Sequence, residues 1–353
     1  MSRSPVSARL YLDHAATTPV LPQAQTAMRQ GLELWANPSS PHAPGRTARA
    51  ALEEARERIK ALFAWDGHVI FTSGASEAIA IGLGRANVVK IITSPVEHDA
   101  VLRVTRQAER LPIGSDGLIG SLPEGNEPYL FAIQHVNNET GVIQPLAEIS
   151  RTIGAWGGVL FADCAQSAGR LPLPEADMIA ISAHKFGGPP GVGALLVRDL
   201  GLLQASGGQE QGYRPGTENL PGILGMAAAL EAQSDWFAQA SDLRRFLDET
   251  IEASGGVVVA KDSPRMPTIG SYRMPDVAAS AQLIQFDMAG ISVSAGSACS
   301  SGTIKASHVL TALGWDGKAA GEVVRVSFGS GTSKADIERF LAVWTGIFDR
   351  ARR

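Results

Sequence analysis

The sequence predicts an α/β fold whose main sheet is largely parallel. Between residues 69 and 197, short apolar segments alternate with amphipathic segments of helical length. After Gly207 and Gly208 this alternation gives way to a long helical region. Alternating strands and helices are typical of parallel sheets covered on both faces. The chain of 353 residues is long enough for about two domains with a large core.

The first half of the chain supplies the predicted sheet and the helices that cover it. Residues 10–12 form a brief apolar segment, and the residues that follow, 13–19, are small and polar. Apolar runs predict strands at 69–71, 88–93, 129–133, 159–162, 178–182 and 194–197. Apolar residues at helical spacing predict helices at 48–63, 75–83, 99–108 and 146–155.

The second half of the chain is predicted to be helical at first and mixed afterwards. One helical region runs from residue 223 to residue 251 with a possible break, and Gly255 with Gly256 ends it. Strand-like segments at 257–259, 291–293 and 323–328 alternate with helices. The last helix begins at a capping pair, Ser333 with Asp336. It is predicted to bury Ile337, Phe340, Leu341, Trp344 and either Ile347 or Phe348.

Composition and charge are those of a water-soluble globular protein. The chain is 44% hydrophobic and 19% charged, with a formal net charge of −4, so we expect neither a nucleic acid nor a membrane as a partner. No apolar run reaches the length of a membrane helix, and the N-terminus lacks the apolar core of a signal peptide. The two cysteines, Cys164 and Cys299, lack metal-ligand spacing and favour a reducing compartment, the cytoplasm.

The stretch most suggestive of chemistry is 180–193, AISAHKFGGPPGVG, where an apolar strand leads into Lys185 and a loop rich in Gly and Pro. A buried lysine loses its proton easily and can act as an amine nucleophile that forms a Schiff base. The alternative is that Lys185 is an ordinary exposed lysine at the end of a strand.

Asp163 ends another predicted strand and precedes the lysine by 185 − 163 = 22 residues. That spacing leaves room for a connection and one further strand. If the two strands are parallel neighbours, both side chains lie at the sheet edge where open α/β sheets bind ligands. A carboxylate there could hold a protonated pyridine nitrogen, whereas the alternative is that Asp163 caps a turn or the next helix.

Three more segments follow predicted strands. Ala75 and Ser76 begin a helix after a Gly turn, which indicates either an anion site or an ordinary helix start. His98 could stack on a flat cofactor and shuttle protons, although most histidines do neither. Asn138, in the segment QHVNNETG, suits recognition of a phenolic oxygen or a carboxylate, but a plain turn explains it as well.

The two cysteines differ in their surroundings. Cys299 lies in VSAGSACSSG, where almost every residue is small, so we expect an exposed and reactive thiol on a mobile backbone. Cys164 lies at the junction of a strand and a loop, and we expect it to be a packing residue.

Together these segments resemble the cysteine desulfurases of the class V aminotransferase family. The matching motifs are YLDHAATT near the N-terminus, NNETG, SAHK, RPGTEN at 214–219, GSACSSG and RVSFG at 325–329. They cover nearly the whole chain.

The resemblance implies a fold and a domain division. The fold is the pyridoxal-phosphate-dependent transferase fold (type I), whose large domain has a mainly parallel seven-stranded sheet. Residues 16–246 would form the large cofactor-binding domain. Residues 1–15 and 247–353 would form a smaller α+β domain that carries the Cys299 loop and the substrate arginine.

The resemblance also implies a cofactor, pyridoxal 5'-phosphate, and a role for each motif residue. Lys185 would form the Schiff base, Asp163 would hold the pyridine nitrogen, Gln166 would bond the ring oxygen, and His98 would stack on the ring and move protons. The phosphate would be held by Ala75, Ser76, Ser182, His184 and, from the second subunit of a homodimer, Thr217. The substrate carboxylate would be clamped by Arg325 with Asn138, which also lies at the cofactor, and the sulfur acceptor would be Cys299.

The implied reaction takes sulfur from L-cysteine, releases alanine and leaves a persulfide for an acceptor protein, either an iron–sulfur scaffold or a tRNA-thiolation relay. The sequence departs from its relatives at Ser76, Cys164, Ser330 and Lys305, and it ends soon after the last helix, which puts docking of a scaffold protein in question. Rival interpretations are a selenocysteine lyase, a carbon–sulfur lyase, an aminotransferase or a non-catalytic relative that binds a partner.

Overall fold

The structure, a computed structural model, describes residues 9–123, 129–296 and 307–352. The strands of this part of the chain are β1 (Leu10–Tyr11), β2 (His68–Thr72), β3 (Ile91–Thr93), β4 (Glu109–Arg110), β5 (Leu130–Gln134), β6 (Val159–Asp163), β7 (Met178–Ser182), β8 (Gly193–Val197), β9 (Val257–Val258), β10 (Ile269–Arg273), β11 (Ile291–Ser292) and β12 (Val323–Ser327). Its α-helices are α1 (Pro22–Glu33), α2 (Ala43–Leu62), α3 (Ala75–Gly84), α4 (Asp99–Val104), α5 (Leu146–Gly154), α6 (Leu220–Glu231), α7 (Phe237–Ala253), α8 (Ala279–Met288), α9 (His308–Ala312), α10 (Gly317–Ala320) and α11 (Lys334–Ala351).

Seven of the described strands form the main sheet in the order β2-β8-β7-β6-β5-β3-β4. Six of them run parallel, whereas β8 is antiparallel to both of its neighbours, β2 and β7. The reversal follows from the connection: β7 and β8 are joined by a short loop, and a parallel pair would need a crossover of a dozen or more residues. Gly187 and Gly191, with φ of 88° and 77°, supply the left-handed backbone that this loop requires.

Both faces of the main sheet are buried, as the sequence predicts. Along β7, Ile179 and Ile181 pack with residues of α2, α5 and α6, while Met178 and Ala180 pack with residues of α3 and α4 on the opposite face. Successive side chains of a strand point to opposite faces, so a strand covered on both sides is apolar throughout.

A second core surrounds the smaller sheets, β12-β10-β9 and β1-β11. Side chains of α7, α8 and α11 pack against them around Trp344, which is fully buried. The capping box of Ser333 and Asp336 is present at the start of α11, which confirms that prediction. Ile347 and Phe348 are both buried, although the sequence predicts one or the other.

Several predicted boundaries are wrong for local reasons. The strand predicted at 88–93 is β3 alone, and the helix predicted at 99–108 ends at Val104 because the chain turns there into β4. The helix predicted from residue 48 starts at Ala43, since His42 Nδ1 accepts a hydrogen bond from the Gly45 N–H and caps it. The possible break in the long helical region is confirmed, since that region is two helices, α6 and α7, whereas β10 is not among the predicted strands.

Strand β10 escapes prediction because its sequence, IGSYR, has no run of apolar residues. A Cβ at Gly270 would overlap the guanidinium of Arg244, so a larger residue there would require that side chain to move. Among the described residues, no helix is both long and apolar enough to cross a bilayer.

Candidate active site

The carboxyl edge of the main sheet brings Asp163 and Lys185 together. β6 and β7 are parallel neighbours, with Asp163 opposite Ala180, and Lys185 lies in a single 3-10 turn directly after β7. Both side chains line one cavity of about 360 Å³. Its walls hold nine of the predicted site residues: Ala75, Ser76, His98, Asn138, Asp163, Gln166, Ser182, His184 and Lys185.

Lys185 is a half-buried lysine with defined partners, not an exposed one at a strand end. Its Nζ donates hydrogen bonds to the carbonyl oxygens of Ala15 at 2.7 Å and Ala16 at 3.0 Å. Burial, and then the positive charge of Arg325, lower the pKa of Lys185 to about 8. A large fraction of this amine is therefore unprotonated, and hence nucleophilic, at mildly alkaline pH.

Asp163 makes a turn contact and also lines the cavity. Its Oδ1 accepts a hydrogen bond from the Ala165 N–H at 2.9 Å, which is a local turn contact, while the carboxylate also lines the cavity. Burial raises the pKa of Asp163, and the nearby His98 and Lys185 oppose that rise. A buried carboxylate of this kind is stabilised by any cation or N–H donor that enters the cavity.

His98 follows β3 and caps α4 while its ring forms part of the cavity wall. Its Nδ1 accepts a hydrogen bond from the Ala100 N–H at 3.2 Å. An accepting Nδ1 carries no proton, so in the neutral ring the proton is on Nε2. Burial lowers the pKa of His98, with Asp163 opposing the change, so the neutral ring predominates at pH 7.

The start of α3 has the features of an anion site. Gly74 precedes it without a side-chain cap, so the first amides of the helix are open toward the cavity wall formed by Ala75 and Ser76. A Cβ at Gly74 would lie 3.5 Å from Ser182 Oγ, in the space between the helix start and β7. The φ of Gly74, 150°, favours glycine and places the start of α3 beside Ser182.

His184 lines the same cavity as these residues. Its Nδ1 lies 3.1 Å from Thr17 Oγ1, and burial followed by the charge of Lys185 lowers the pKa of His184 to about 4. A neutral imidazole at this position can offer one N–H to an anion without requiring a proton from solvent.

Gln166 is only partly satisfied by the protein. Its Nε2 donates a hydrogen bond to the Ala15 carbonyl oxygen at 2.9 Å, whereas its Oε1 is buried without a partner. Buried polar atoms are nearly always hydrogen-bonded in folded proteins, so this oxygen in the cavity wall can accept a hydrogen bond from a ligand.

Arg325 lies beside Asn138, as the sequence predicts, but the contact is through the backbone. Its Nη1 donates a hydrogen bond to the Asn138 carbonyl oxygen at 2.9 Å, and its Nη2 lies 2.7 Å from Asp13 Oδ1. The Nε is buried without a partner. The guanidinium is therefore held in one plane with a donor still open, which suits a carboxylate ligand.

Sequence reasoning gave no role to Asp13 or to Asn137. Asp13 stands in the small polar segment after β1, and only its position in the YLDHAATT motif could have drawn attention to it. Asn137 shapes the turn after β5: its Oδ1 accepts hydrogen bonds from the N–H groups of Glu139 at 2.9 Å and Thr140 at 2.8 Å. In the NNETG motif the first asparagine thus builds a turn, and the second reaches the cavity.

Three predicted site residues are not among those that line the cavity: Arg325, which contacts the lining residue Asn138, and also Thr217 and Cys299. Thr217 is exposed and away from the cavity wall of its own chain. Cys299 lies outside the described residues. Cys164 is fully buried, and burial raises the pKa of its thiol far above the ordinary value, so it is a packing residue as predicted.

The sequence matches the family profile described as Aminotransferase class-V over residues 10–340. The chain therefore belongs to the class V aminotransferase family. Among its relatives are cysteine desulfurases: cysteine desulfurase IscS of Dictyoglomus turgidum is 36% identical over 375 residues, which cover 97% of this chain and 95% of that protein.

Solved structures agree with this assignment. A NifS-like protein from Rickettsia africae superposes with a TM-score of 0.87 at 27% identity, over 97% of this chain and 99% of that one. SspA, solved in complex with cysteine, superposes with a TM-score of 0.77 at 29% identity, over 90% of this chain and 98% of that one. The predicted fold, that of pyridoxal-phosphate-dependent transferases, is confirmed.

The cofactor of this family is pyridoxal 5'-phosphate, and the cavity fits it. The open helix start at Gly74 suits a phosphate, and the buried carboxylate of Asp163 suits a protonated ring nitrogen. The Oε1 of Gln166 has no hydrogen-bond partner within the protein and can accept one from a ligand. The amine of Lys185 stands at the same cavity.

The lowered pKa of Lys185 predicts unusual reactivity of its amine. In cofactor-free protein, acetylation of Lys185 by acetic anhydride should increase with pH through a midpoint near 8, because only the unprotonated amine reacts. Peptide mass spectrometry across a pH series measures it. Lys90 is the control, since its pairing with Glu109 raises its pKa and moves its midpoint above that of an ordinary lysine. Equal midpoints for the two lysines would contradict the prediction.

Proposed function

We propose that the protein is a pyridoxal-phosphate-dependent cysteine desulfurase. It removes sulfur from L-cysteine, releases L-alanine and leaves the sulfur as a persulfide on Cys299 for transfer to an acceptor. The observation that carries the proposal is the meeting of the Lys185 amine and the Asp163 carboxylate in one cavity, in a chain whose relatives are cysteine desulfurases. The complex of SspA with cysteine supports cysteine as the substrate.

When bound, pyridoxal phosphate supplies an electron-withdrawing ring that stabilises negative charge at the substrate Cα. The chain's own residues hold and orient that ring. Asp163 accepts a hydrogen bond from the ring nitrogen and keeps it protonated, because a buried carboxylate favours a partner that carries positive charge. The first amides of α3, with the Ser182 hydroxyl and a neutral His184, hold the phosphate.

Two groups in the cavity can move protons. With a pKa of about 8, the Lys185 amine gains and loses a proton readily near neutral pH, which is what a group that takes a proton from the substrate Cα must do. His98 lines the cavity and its Nδ1 is occupied by the Ala100 N–H, so Nε2 is the nitrogen left for proton transfer.

The substrate carboxylate binds at Arg325. Of the hydrogen-bond donors on this guanidinium, the Nε has no partner, while Asp13 and the Asn138 carbonyl oxygen keep the plane fixed. A guanidinium held in this way binds a carboxylate in one orientation and therefore sets the direction of the substrate's Cβ and sulfur.

Sulfur transfer requires the thiolate of Cys299. It attacks the substrate sulfur, a new S–S bond forms, and the bond between Cβ and sulfur breaks with its electron pair remaining on the substrate carbon. That carbon takes up a proton to give alanine. One thiol and one cysteine thus become one persulfide and one alanine, and no external oxidant is needed.

The proposal predicts a sulfur adduct on one cysteine. After L-cysteine is added to cofactor-loaded protein, intact-mass and peptide mass spectrometry should find one extra sulfur atom on Cys299, together with free alanine. Cys299→Ser should abolish the adduct. Cys164→Ala is the matched control and should keep it, because the Cys164 thiol is buried and largely protonated. Release of pyruvate, ammonia and sulfide from cysteine that continues in Cys299→Ser would instead favour a carbon–sulfur lyase.

We further propose that the enzyme is a homodimer in which Thr217 of the partner subunit completes the phosphate site. The exposure of Thr217, away from its own cavity, supports this arrangement. Mixing Lys185→Ala with Thr217→Val subunits tests it, since the mixed dimer regains one site with the native lysine and the native threonine. Cofactor retention and desulfurase activity should recover in the mixture. Activity that equals the mean of the two parents would contradict shared sites.

The remaining expectations are part of the same proposal. The two separate cores support a division into a large domain of residues 16–246 and a small domain of residues 1–15 and 247–353. Because Leu243 already packs in the second core and residue 246 lies inside α7, limited proteolysis should cleave in the loop before α7. We expect a cytoplasmic enzyme, which cell fractionation would show.

The acceptor is a protein of iron–sulfur cluster assembly or of tRNA thiolation, and capture of the sulfur-loaded enzyme with each candidate distinguishes them.

A further inference from the structure

Glu139 is a buried acid that the proposed mechanism does not use. It lies in the turn after β5 and is 4% exposed. Its N–H donates to Asn137 Oδ1 at 2.9 Å, and its carbonyl oxygen accepts a hydrogen bond from Ser271 Oγ at 2.8 Å. The backbone of Glu139 is therefore fixed from both sides, and its side chain projects from a rigid support.

The carboxylate of Glu139 contacts the residues on both sides of segment 297–306, which contains Cys299. Ser307 Oγ donates a hydrogen bond to Glu139 Oε2 at 2.6 Å. On the other side, a Cβ added to Gly296 would lie 2.8 Å from the same oxygen, so the Gly296 backbone packs directly on the carboxylate. One side chain thus contacts both residues that flank the segment, Gly296 by packing and Ser307 by a hydrogen bond.

Both flanks are also tied to residues of the active site. Ser294 pairs with Arg325 through two backbone hydrogen bonds, of 3.2 Å and 2.6 Å. His308 Nε2 donates a hydrogen bond to the carbonyl oxygen of Glu97, the residue before His98. The flanks of the cysteine segment are thereby positioned relative to the carboxylate-binding arginine and to the ring-contacting histidine.

The position of Gly296 limits how far the Cys299 thiol can reach, because few residues separate the two in the sequence. Cys299 is three residues further along the sequence, and three residues of extended chain span at most about 11 Å. The thiol must meet the substrate sulfur in the cavity and afterwards meet an acceptor outside it. The location of the flanks therefore decides which positions the thiol can reach.

Burying a carboxylate carries a free-energy cost that an apolar side chain would avoid. Burial raises the pKa of Glu139, and the Ser307 hydroxyl, His308 and Arg325 oppose that rise. A residue retained only for packing would not need a polar group here, whereas the Ser307 hydroxyl does need an acceptor, which Glu139 Oε2 supplies.

We infer that Glu139 is a positioning residue for sulfur transfer, which holds both flanks of the Cys299 segment so that the thiol can reach the substrate sulfur. The inference rests on the proposed function. It separates two steps of the reaction: binding of cysteine at the cofactor does not depend on these contacts, and delivery of sulfur to Cys299 does.

The test uses cofactor-loaded full-length protein with Ser307→Ala, which removes the hydroxyl, and Ser307→Thr, which keeps it. Persulfide formation on Cys299 in Ser307→Ala should slow by about tenfold or more, since small misplacements of reacting groups have effects of this size. Cofactor content and the change in absorption when L-cysteine binds should stay as in wild type. Ser307→Thr should recover most of the rate, and Glu139→Gln, which keeps an acceptor oxygen, should be less impaired than Glu139→Ala.

Ser333→Ala is the matched control. Ser307 also caps α9 through the Leu310 N–H, and Ser333 caps α11 far from the cavity, so the control removes a helix cap without touching the cysteine segment. It should form persulfide at the wild-type rate.

Each of three results would overturn the inference. Ser307→Ala could form persulfide as fast as wild type, or it could lose cofactor and cysteine binding in parallel with persulfide formation, which would indicate a general structural role. Wild-type protein that forms no persulfide on Cys299 would overturn the proposed function and this inference with it. The first two results leave the proposed function intact, so the failures are distinguishable.

Discussion

The parallel pairing of β6 with β7 is the constraint on which the site depends. It places the end of β6, with Asp163, beside the end of β7, from which Lys185 follows. The return of the chain into antiparallel β8 then fixes the lysine in a turn between two strand ends, instead of at the start of a long crossover. Acid and amine consequently reach one cavity from two rigid supports.

The same pairing limits the cost of burying charge. A lone carboxylate or ammonium inside a protein loses hydration worth several kcal/mol, and in practice its pKa shifts until it becomes neutral. Here the pKa of Asp163 is raised and the pKa of Lys185 is lowered, each partly restored by the other. Gln166 Oε1 and Arg325 Nε are buried without a partner near this pair and are open to hydrogen bonds from a ligand.

Much of this site could be read from the sequence because its residues stand where strands end. Asp163, Lys185 and His98 each follow an apolar run, and the edge of a parallel sheet gathers such residues whatever the detail of the turns. Asp13 and Glu139 could not be found in the same way, since their partners, Arg325 and Ser307, lie far away in sequence and belong to another sheet and another helix. The sequence does not predict β10 because glycine and polar residues interrupt its apolar pattern. The ends of α4 and α6 are not predicted because the turns that end these helices carry no strong local signal.

The central claim is that the Lys185 amine is the group that holds the cofactor in the Asp163 cavity. Treating protein loaded with pyridoxal phosphate with borohydride fixes the cofactor to whichever amine carries it, and peptide mass spectrometry then locates the added mass. The account predicts that the mass is on Lys185 alone and that Asp163→Ala lowers the retained cofactor. Added mass on a different lysine, or equal retention by Asp163→Ala, would contradict it.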